Sequence, residues 1–158
     1  MPLPCSEQIN AAIVAALQAI DAARVPGFAA DRFELRRIAV VTTDELLRLV
    51  VYPEPPIEQQ DFSGERNSTM RFTVEVAVVG RDDVDAQQQA AILSAEVKRA
   101  LFADVTLGGL ARDLRTVAEP AEFQRLDVDS GEEDPVAAFA DPFEVDFATD
   151  EVDLTVFA

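Results

Sequence analysis

The sequence contains no histidine, and Cys5 is its only cysteine. Without histidine the chain lacks the side chain that most often serves as a general base near neutral pH and as a metal ligand. A single cysteine excludes an internal disulfide and a metal site built from several thiolates. We therefore expect a protein that is not an enzyme and that binds no cofactor and no catalytic metal.

Long apolar runs are also absent. No stretch approaches the roughly 18 to 20 apolar residues that a membrane-spanning helix needs. The first ten residues, MPLPCSEQIN, lack the basic start and the apolar stretch of a signal peptide. These features predict a protein that is made and assembled in the cytoplasm and has no membrane partner.

Basic residues are scarce: 13 Lys and Arg stand against 30 Asp and Glu, which gives a formal net charge of −17. The imbalance is greatest in the acidic C-terminal segment 126–158, which has eleven Asp or Glu and no Lys or Arg. Such a surface repels phosphate backbones, so the charge argues against a protein that binds nucleic acid by neutralising phosphates. It is compatible with DNA that passes nearby without adhering.

The composition that is present fits one domain spanning 1–158, since 158 residues with 49% apolar content can form a core of ordinary size. Ser6 is predicted to cap a first helix that Pro26 and Gly27 end. Its alanine-rich face indicates close packing on a sheet or on another helix. The apolar residues at helical spacing are Ile9, Ala12, Ile13, Ala16, Leu17, Ile20 and Ala23.

Two strands are expected after this helix. The alternation from Phe33 to Val41 changes parity, which predicts a strand with a bulge near Arg36–Arg37. A turn over Thr42–Glu45 then leads to a second strand through Leu47, Leu49 and Val51.

The segment from Pro53 to Ser68 is predicted to be a long loop, because its three prolines and its Ser-Gly step remove ladder donors and break any period. Loops of this length in compact domains usually have a function. We interpret this one as an arm that becomes ordered against a partner. The candidate contact residues in and beside it are Ile57, Phe62, Arg66 and Arg71.

The stretch from Met70 to Gly80 alternates apolar and polar residues and predicts a strand. Asp82, Asp83 and Asp85 then suit the start of a second helix, and Lys98 and Arg99 suit its end. A further strand is expected from Leu110 to Val117, and Pro120 should interrupt any continuation of it. A last strand is expected through Phe143, Val145 and Phe147. The predicted fold is α+β, with an antiparallel or mixed sheet of about four to six strands packed against two helices. The buried stripe of the second helix is expected to be Ala86, Ala90, Leu93, Val97 and Leu101.

Gly108 and Gly109 could serve a turn or a phosphate-binding loop. They follow a helix and precede a strand, the reverse of the order in a phosphate loop, and no accompanying Lys-Ser/Thr pair or GxGxxG pattern is present. We therefore predict a structural turn with a left-handed helix cap.

The acidic stretch DVDSGEED, residues 127–134, begins like a calcium loop. Its glycine comes one place early, and Ala138 stands where the bidentate glutamate belongs. A solvated acidic turn is the better interpretation, with adventitious cation binding by Asp127, Asp129, Glu132 and Asp134 left open. Ser63 lacks the context of a nucleophile elbow and is interpreted as a turn residue.

The order of predicted elements resembles that of the phage tail terminator and minor tail protein family. Four segments carry the resemblance and together span most of the chain: RFELRRIAVVTTDELLRLVVYPEP, residues 70–80, VKRALFADVTLGGLA and PFEVDFAT. The sequence departs from the family in its acidic final third and in DEVDLTVFA, which extends beyond the usual last strand.

This resemblance implies a structural virion protein without catalytic residues, located in the tail. Its protomers would form a ring, hexameric by analogy, that caps the tail tube and joins it to the head connector or a neck protein, with DNA passing through the lumen. A ring requires a heterologous interface between two different patches. The alternatives are another neck or head-completion protein and, because of the charge, an acidic inhibitor or DNA mimic.

Overall fold

The computed structural model of the chain describes residues 2–25, 27–29, 32–35, 41–60, 65–117, 128–129, 135–150 and 155–157. Its two helices and its mixed six-stranded sheet confirm the predicted α+β fold. In chain order the elements are α1 (Cys5–Gln18), β1 (Phe33–Leu35), β2 (Val41–Thr42), a short 3₁₀ helix (Thr43–Glu45), β3 (Arg48–Pro53), β4 (Ile57–Gln60), β5 (Glu65–Val79), α2 (Asp83–Phe102), β6 (Asp113–Thr116), β7 (Val128–Asp129) and β8 (Val136–Asp150).

The main sheet has the order β1-β3-β5-β8-β6, and β4 also pairs with β5. Strand β1 runs parallel to β3, whereas the other pairs are antiparallel. The centre of the sheet is the pair β5 and β8, each 15 residues long, in register from Glu65↔Asp150 to Val79↔Val136. Strands β2 and β7 form a separate parallel pair.

Both helices contribute to one hydrophobic core on one face of the sheet. Helix α1 buries Ile9, Ile13 and Leu17 there, and the predicted stripe of α2 is buried throughout. At the centre, Phe72 of β5 and Phe143 of β8 stack with their ring centroids 5.2 Å apart. The helix stripes and the alternating strands therefore meet in one core, as their periodicities predict.

The ends of α1 differ from the prediction. Ser6 does not cap the helix: Pro4 is the N-cap, and its carbonyl oxygen accepts hydrogen bonds from the backbone of Glu7 and Gln8. The helix ends at Gln18, well before Pro26 and Gly27. The physical reason lies at Asp21, whose carboxylate accepts from the Ala23 N–H at 2.9 Å and starts a local turn that competes with the helix. By contrast, Asp82 caps α2 as its acidic start predicts.

The strand predicted from Phe33 to Val41 is observed as the short β1 and, after a gap, the first residue of β2. The bulge expected at Arg36–Arg37 lies outside the described residues. The 3₁₀ helix occupies the predicted turn, and β3 confirms the second strand. Strand β3 also buries Val50 and Tyr52 on the sheet face opposite the helices, where they form a second small cluster with Ala77.

The predicted long loop from Pro53 to Ser68 is wrong for most of its described length. Ile57–Gln60 form β4, which pairs in register with Arg66 to Thr69 of β5. The three prolines of this segment all precede β4, so every described residue from Ile57 to Ser68 has a backbone N–H that can donate to a ladder. Strands can pair through their backbone groups alone. The mostly polar β4 therefore forms a strand without the apolar alternation from which strands are predicted.

The last strands lie where they were expected, and β8 begins earlier, at Val136. Pro142 is tolerated within β8 because its carbonyl accepts from Val117, just beyond the end of β6, so its missing donor faces the β6 side and not β5. Pro120 lies outside the described residues. Of DEVDLTVFA, Asp150 and residues 155–157 are described, and Phe157 forms an antiparallel bridge with Thr149 of β8.

Candidate functional site

The candidate contact residues lie in or beside a structure that we call the arm, which consists of β4 and the part of β5 that pairs with it, residues 66–69. Ile57 begins β4, and 63% of its surface is exposed. Arg66 is placed on β5 and donates to Glu58 of β4 at 3.1 Å. Phe62 lies outside the described residues. The described part of the arm is already paired within one chain, so the expectation that it orders only against a partner is wrong for that part.

The outer edge of β4 is open. Within the described ranges, β4 pairs only with β5, so its other side presents backbone donors and acceptors with no neighbouring strand. The sheet path ends at β1 and β6, which are also short strands of three and four residues. Short edge strands limit uncontrolled edge-to-edge pairing and still allow a specific strand to add.

The structure separates the candidate residues between the two faces of the sheet. Ile57 lies opposite Thr69, and Thr69 shares its face with Arg71, away from the helices. Arg66 has the parity of Met70, which belongs to the core on the helix side. One flat contact on the sheet could therefore include Ile57 and Arg71 but not Arg66. This division follows from strand parity and became visible only once β4 was recognised as a strand.

Arg71 belongs to an ion-pair network across β5, β8 and β6. Its Nε donates to Oε1 of Glu144, directly opposite on β8, at 2.7 Å. Arg115 of β6 donates to the other oxygen of Glu144 at 2.8 Å and also to Asp146. The Thr69 hydroxyl donates to Asp146 at 2.6 Å. Sequence reasoning missed this network because it depends on strand register, which no local pattern of charges reveals.

The network changes the acidity of its members. Hydrogen bonds, first from Arg71 and then from Arg115, hold the pKa of Glu144 below its ordinary value. Burial raises the pKa of Asp146, but hydrogen bonds from Arg115 and Thr69 outweigh burial and leave it lowered. The hydrogen bond to Asp146 raises the pKa of Arg115. These carboxylates are therefore held ionised and are poor candidates for a general acid or base near neutral pH.

Gly108 and Gly109 form a turn as predicted, with φ of +75° and +88°. They are not the helix cap, because α2 ends at Phe102 and Ala103 caps it in a right-handed conformation. The intervening loop is organised by Asp104, whose carboxylate accepts from Thr106 and from the Gly108 N–H at 2.7 Å. The bond from the Thr106 hydroxyl is the largest cause that lowers the pKa of Asp104.

A groove of about 600 Å³ lies between α1 and α2. Its floor is largely alanine, including Ala12, Ala16 and Ala100, so at this place the alanine-rich face of α1 lines a groove. Glu96 lies at the groove within 3.9 Å of Arg24 and 3.5 Å of Arg99. The groove offers apolar contact and ion pairs, and its lining residues include no serine, threonine or cysteine nucleophile.

The described residues contain no cluster of three or more His, Cys, Asp or Glu that could hold a metal ion. Cys5 is buried in the core. Of the acidic stretch 127–134, only β7 falls within the described ranges, so adventitious cation binding there stays a prediction. No helix in the described part of the chain is long and apolar enough to cross a membrane.

Comparison with known proteins gives no assignment. No protein-family model matches the chain, and no curated protein matches it.

Proposed function

We propose that this chain is a structural protein of a phage tail, whose protomers form a ring that caps the tail tube. The ring ends tube growth and joins the tail to the head connector or a neck protein. This proposal originates in the order of elements in the sequence, which resembles that of tail terminator and minor tail proteins. The α+β fold, with two helices on one face of a mixed sheet, is compatible with it.

The observation that carries the proposal is the open outer edge of β4. It lies beside Ile57, the larger part of which is exposed. Addition of a neighbour's strand to this edge would supply main-chain hydrogen bonds, and Ile57 would supply an apolar contact. Because β4 is already paired with β5, the β4 backbone need not become ordered when the contact forms, which reduces the cost of association.

A ring needs two different patches on each protomer, since a patch that binds itself gives a closed dimer. The sheet provides such a second patch at its β6 end, far from β4 in strand order. A β4 edge that meets the neighbour's β6 end would therefore form a heterologous contact that repeats around a ring. A hexamer is the number that the family analogy implies.

The charge of −17 per chain sets the conditions for assembly. Like-charged protomers repel each other, so salt or divalent cations should favour the ring by screening. Carboxylates that line a lumen would let DNA pass without adhering. The proposed location is the virion tail, with assembly in the host cytoplasm.

The substitution Ile57→Asp tests the assembly surface. We expect wild-type protein to sediment as a ring in the presence of magnesium or isolated tail tubes, and Ile57→Asp to remain a monomer. The matched control is Val84→Asp, which replaces an equally exposed apolar residue in the first turn of α2 and should still form the ring. A monomeric wild type under all these conditions would refute the proposal.

Electron microscopy of particles that lack the protein tests the biological role. Overlong tail tubes are expected if the chain ends tube growth. Normal tails on unjoined heads would favour another neck or head-completion protein. Tight binding to a basic DNA-processing enzyme, with normal particles, would favour the acidic inhibitor or DNA mimic.

A further inference from the structure

Residues 155–157, which we call the strap, lie along the edge of β8 that also carries β6. Phe157 forms an antiparallel bridge with Thr149, and the Asp150 N–H donates to the Val156 carbonyl at 3.0 Å. Strand β5 already pairs with the other edge of β8 at Thr149, so the strap must lie on the β6 side. Strand β6 is also antiparallel to β8. The strap and β6 therefore run in the same direction along one edge.

Contacts on both sides of Val156 hold the strap on the domain. The Phe157 ring packs against the core, with its centroid 6.3 Å from that of Phe147. The side-chain amide of Gln8 in α1 donates to the Thr155 carbonyl at 3.1 Å. Val156, between these two anchors, is 49% exposed. The strap is therefore an ordered edge segment that leaves an apolar side chain in solvent.

The open edge of β4 lies at the same level of the sheet as the strap, measured along the strands. Strand β4 pairs with residues 66–69 of β5, and these pair with residues 146–149 of β8. On the far edge of β8, the paired residues of β6 reach only to Asp146, and Phe157 lies at Thr149. A neighbouring copy at the same level would therefore bring its β4 mainly against the strap and the start of β6.

This level decides which edge of the sheet can close a ring. The other end of the sheet path, β1, pairs with residues 49–51 of β3, which lie beside residues 74–76 of β5. That position is roughly 25 Å along β5 from β4. In a ring whose axis follows the strands, contact between edges at different levels would add a rise at each copy and give an open helix. Edges at the same level add no rise and allow closure.

We infer that the strap and the start of β6 together receive β4 of the neighbouring copy, with Val156 packed against Ile57. Both are exposed apolar residues, one at each edge, so their contact removes apolar surface from water. The outer side of the strap has no strand beside it within the described part of the chain, so a strand can add there through backbone hydrogen bonds. This inference rests on the proposed ring and names the segment that completes its second patch.

Disulfide cross-linking tests the contact. The double variant Ile57→Cys/Val156→Cys, oxidised under conditions that assemble the ring, should give a ladder of covalent oligomers up to the ring size, because opposed residues of paired strands come close enough for a disulfide. Each single variant should give at most dimers, and native Cys5, which is buried, should not react. The matched control is Ile57→Cys/Leu35→Cys. It places the second thiol on an exposed residue of β1 and should give no ladder.

The outcomes separate this inference from the ring itself. If the Ile57→Cys/Val156→Cys variant sediments as a ring but is not cross-linked, the strap does not receive β4, and the ring proposal stands. A ladder from the Leu35→Cys pair would likewise overturn the inference and assign the contact to β1. A wild type that forms no ring refutes the proposed function and this inference with it.

A second variant tests the strap without changing either contact residue. Phe157→Ala removes the ring that anchors the strap, so we expect faster hydrogen exchange at the Asp150 amide, which donates to Val156. Assembly should then need a roughly fivefold higher protein concentration, because the strap must become ordered on binding. Assembly of Phe157→Ala at the wild-type concentration would overturn the inference.

Discussion

Two neighbouring residue pairs in the ladder between β5 and β8 differ in how far they are buried. Phe72 lies opposite Phe143, and one step along the strands Arg71 lies opposite Glu144. The phenylalanine pair faces the helices and is fully buried, whereas 42% of the Arg71 side chain is exposed on the other face. Both pairs belong to one antiparallel ladder, so the difference in burial comes from what covers each face of the sheet.

The comparison shows how each pair contributes to stability. Phe143 packs on Phe72 and, with a ring-centroid distance of 6.1 Å, on Phe102 of α2, so its contribution grows with the apolar area removed from water. The Arg71 pair keeps contact with solvent, which screens its attraction. The helix-covered face should therefore provide most of the stability, and the charged face should mainly fix register.

The largest effect is expected for Phe143→Ala. Removing a fully buried ring from this stack should lower the free energy of unfolding by about 3–5 kcal/mol. In urea denaturation this loss of stability appears as a lower midpoint, with an unchanged dependence of the unfolding free energy on urea concentration. If this variant does not fold, Phe143→Leu should show the same direction with a cost of roughly 1–2 kcal/mol.

The control for this prediction is Phe139→Ala. Phe139 lies on the same strand and, by parity, on the same face, but it is 42% exposed. We expect its loss to cost less than about half as much as that of Phe143, because less apolar area is buried. Equal costs would mean that burial under α2 does not set the difference between the two faces.

The helix-covered face was predictable from the sequence because its signal is periodic. The stripe of α2 and the alternation of Phe143, Val145 and Phe147 are both observed. The periods of 3.6 and 2 are local properties of the chain, and they indicate which residues turn inward.

The charged face and the arm were not predictable in the same way. The contact between Arg71 and Glu144 joins residues 73 positions apart, and it needs a register that the sequence does not state. Strand β4 has one apolar residue, Ile57, so it gives no alternation, and the prolines before it favoured a loop. Of the candidate contact residues, the sequence could place Arg71 on a strand but could not assign faces to Ile57 and Arg66.

A smaller effect is expected from pH on the charged face. The pKa of Glu144 and that of Asp146 are lowered in the folded protein from ordinary values of 4.5 and 3.8. Their stabilisation is therefore complete above these values and is lost as pH falls below them toward the lowered pKa. Glu144→Gln should cost roughly 1 kcal/mol at neutral pH, a value reduced by solvent screening, and this cost should disappear in acid.

Urea midpoints of wild type and Glu144→Gln, measured from about pH 7 to about pH 3, test this pH dependence. Other carboxylates titrate in both proteins, so the difference between the two curves isolates Glu144. Glu58→Gln on the arm is the control, and its urea midpoint should change with pH in the same way as that of wild type. If the urea midpoints of wild type and Glu144→Gln differ by the same amount at every pH, the lost contact is not electrostatic.

The smallest effect is expected for Arg66→Gln, which compares the two ion pairs along β5. Arg66 and Glu58 lie 3.1 Å apart on the arm, and both are substantially exposed, whereas Arg71 shares Glu144 with Arg115. Exposed isolated pairs contribute little, so we expect a change of less than about 0.5 kcal/mol. Arg71→Gln should cost more under the same conditions, because it leaves a partly buried carboxylate with one guanidinium instead of two. If both variants lower the free energy of unfolding equally, solvent exposure does not decide how much an ion pair along β5 contributes to stability.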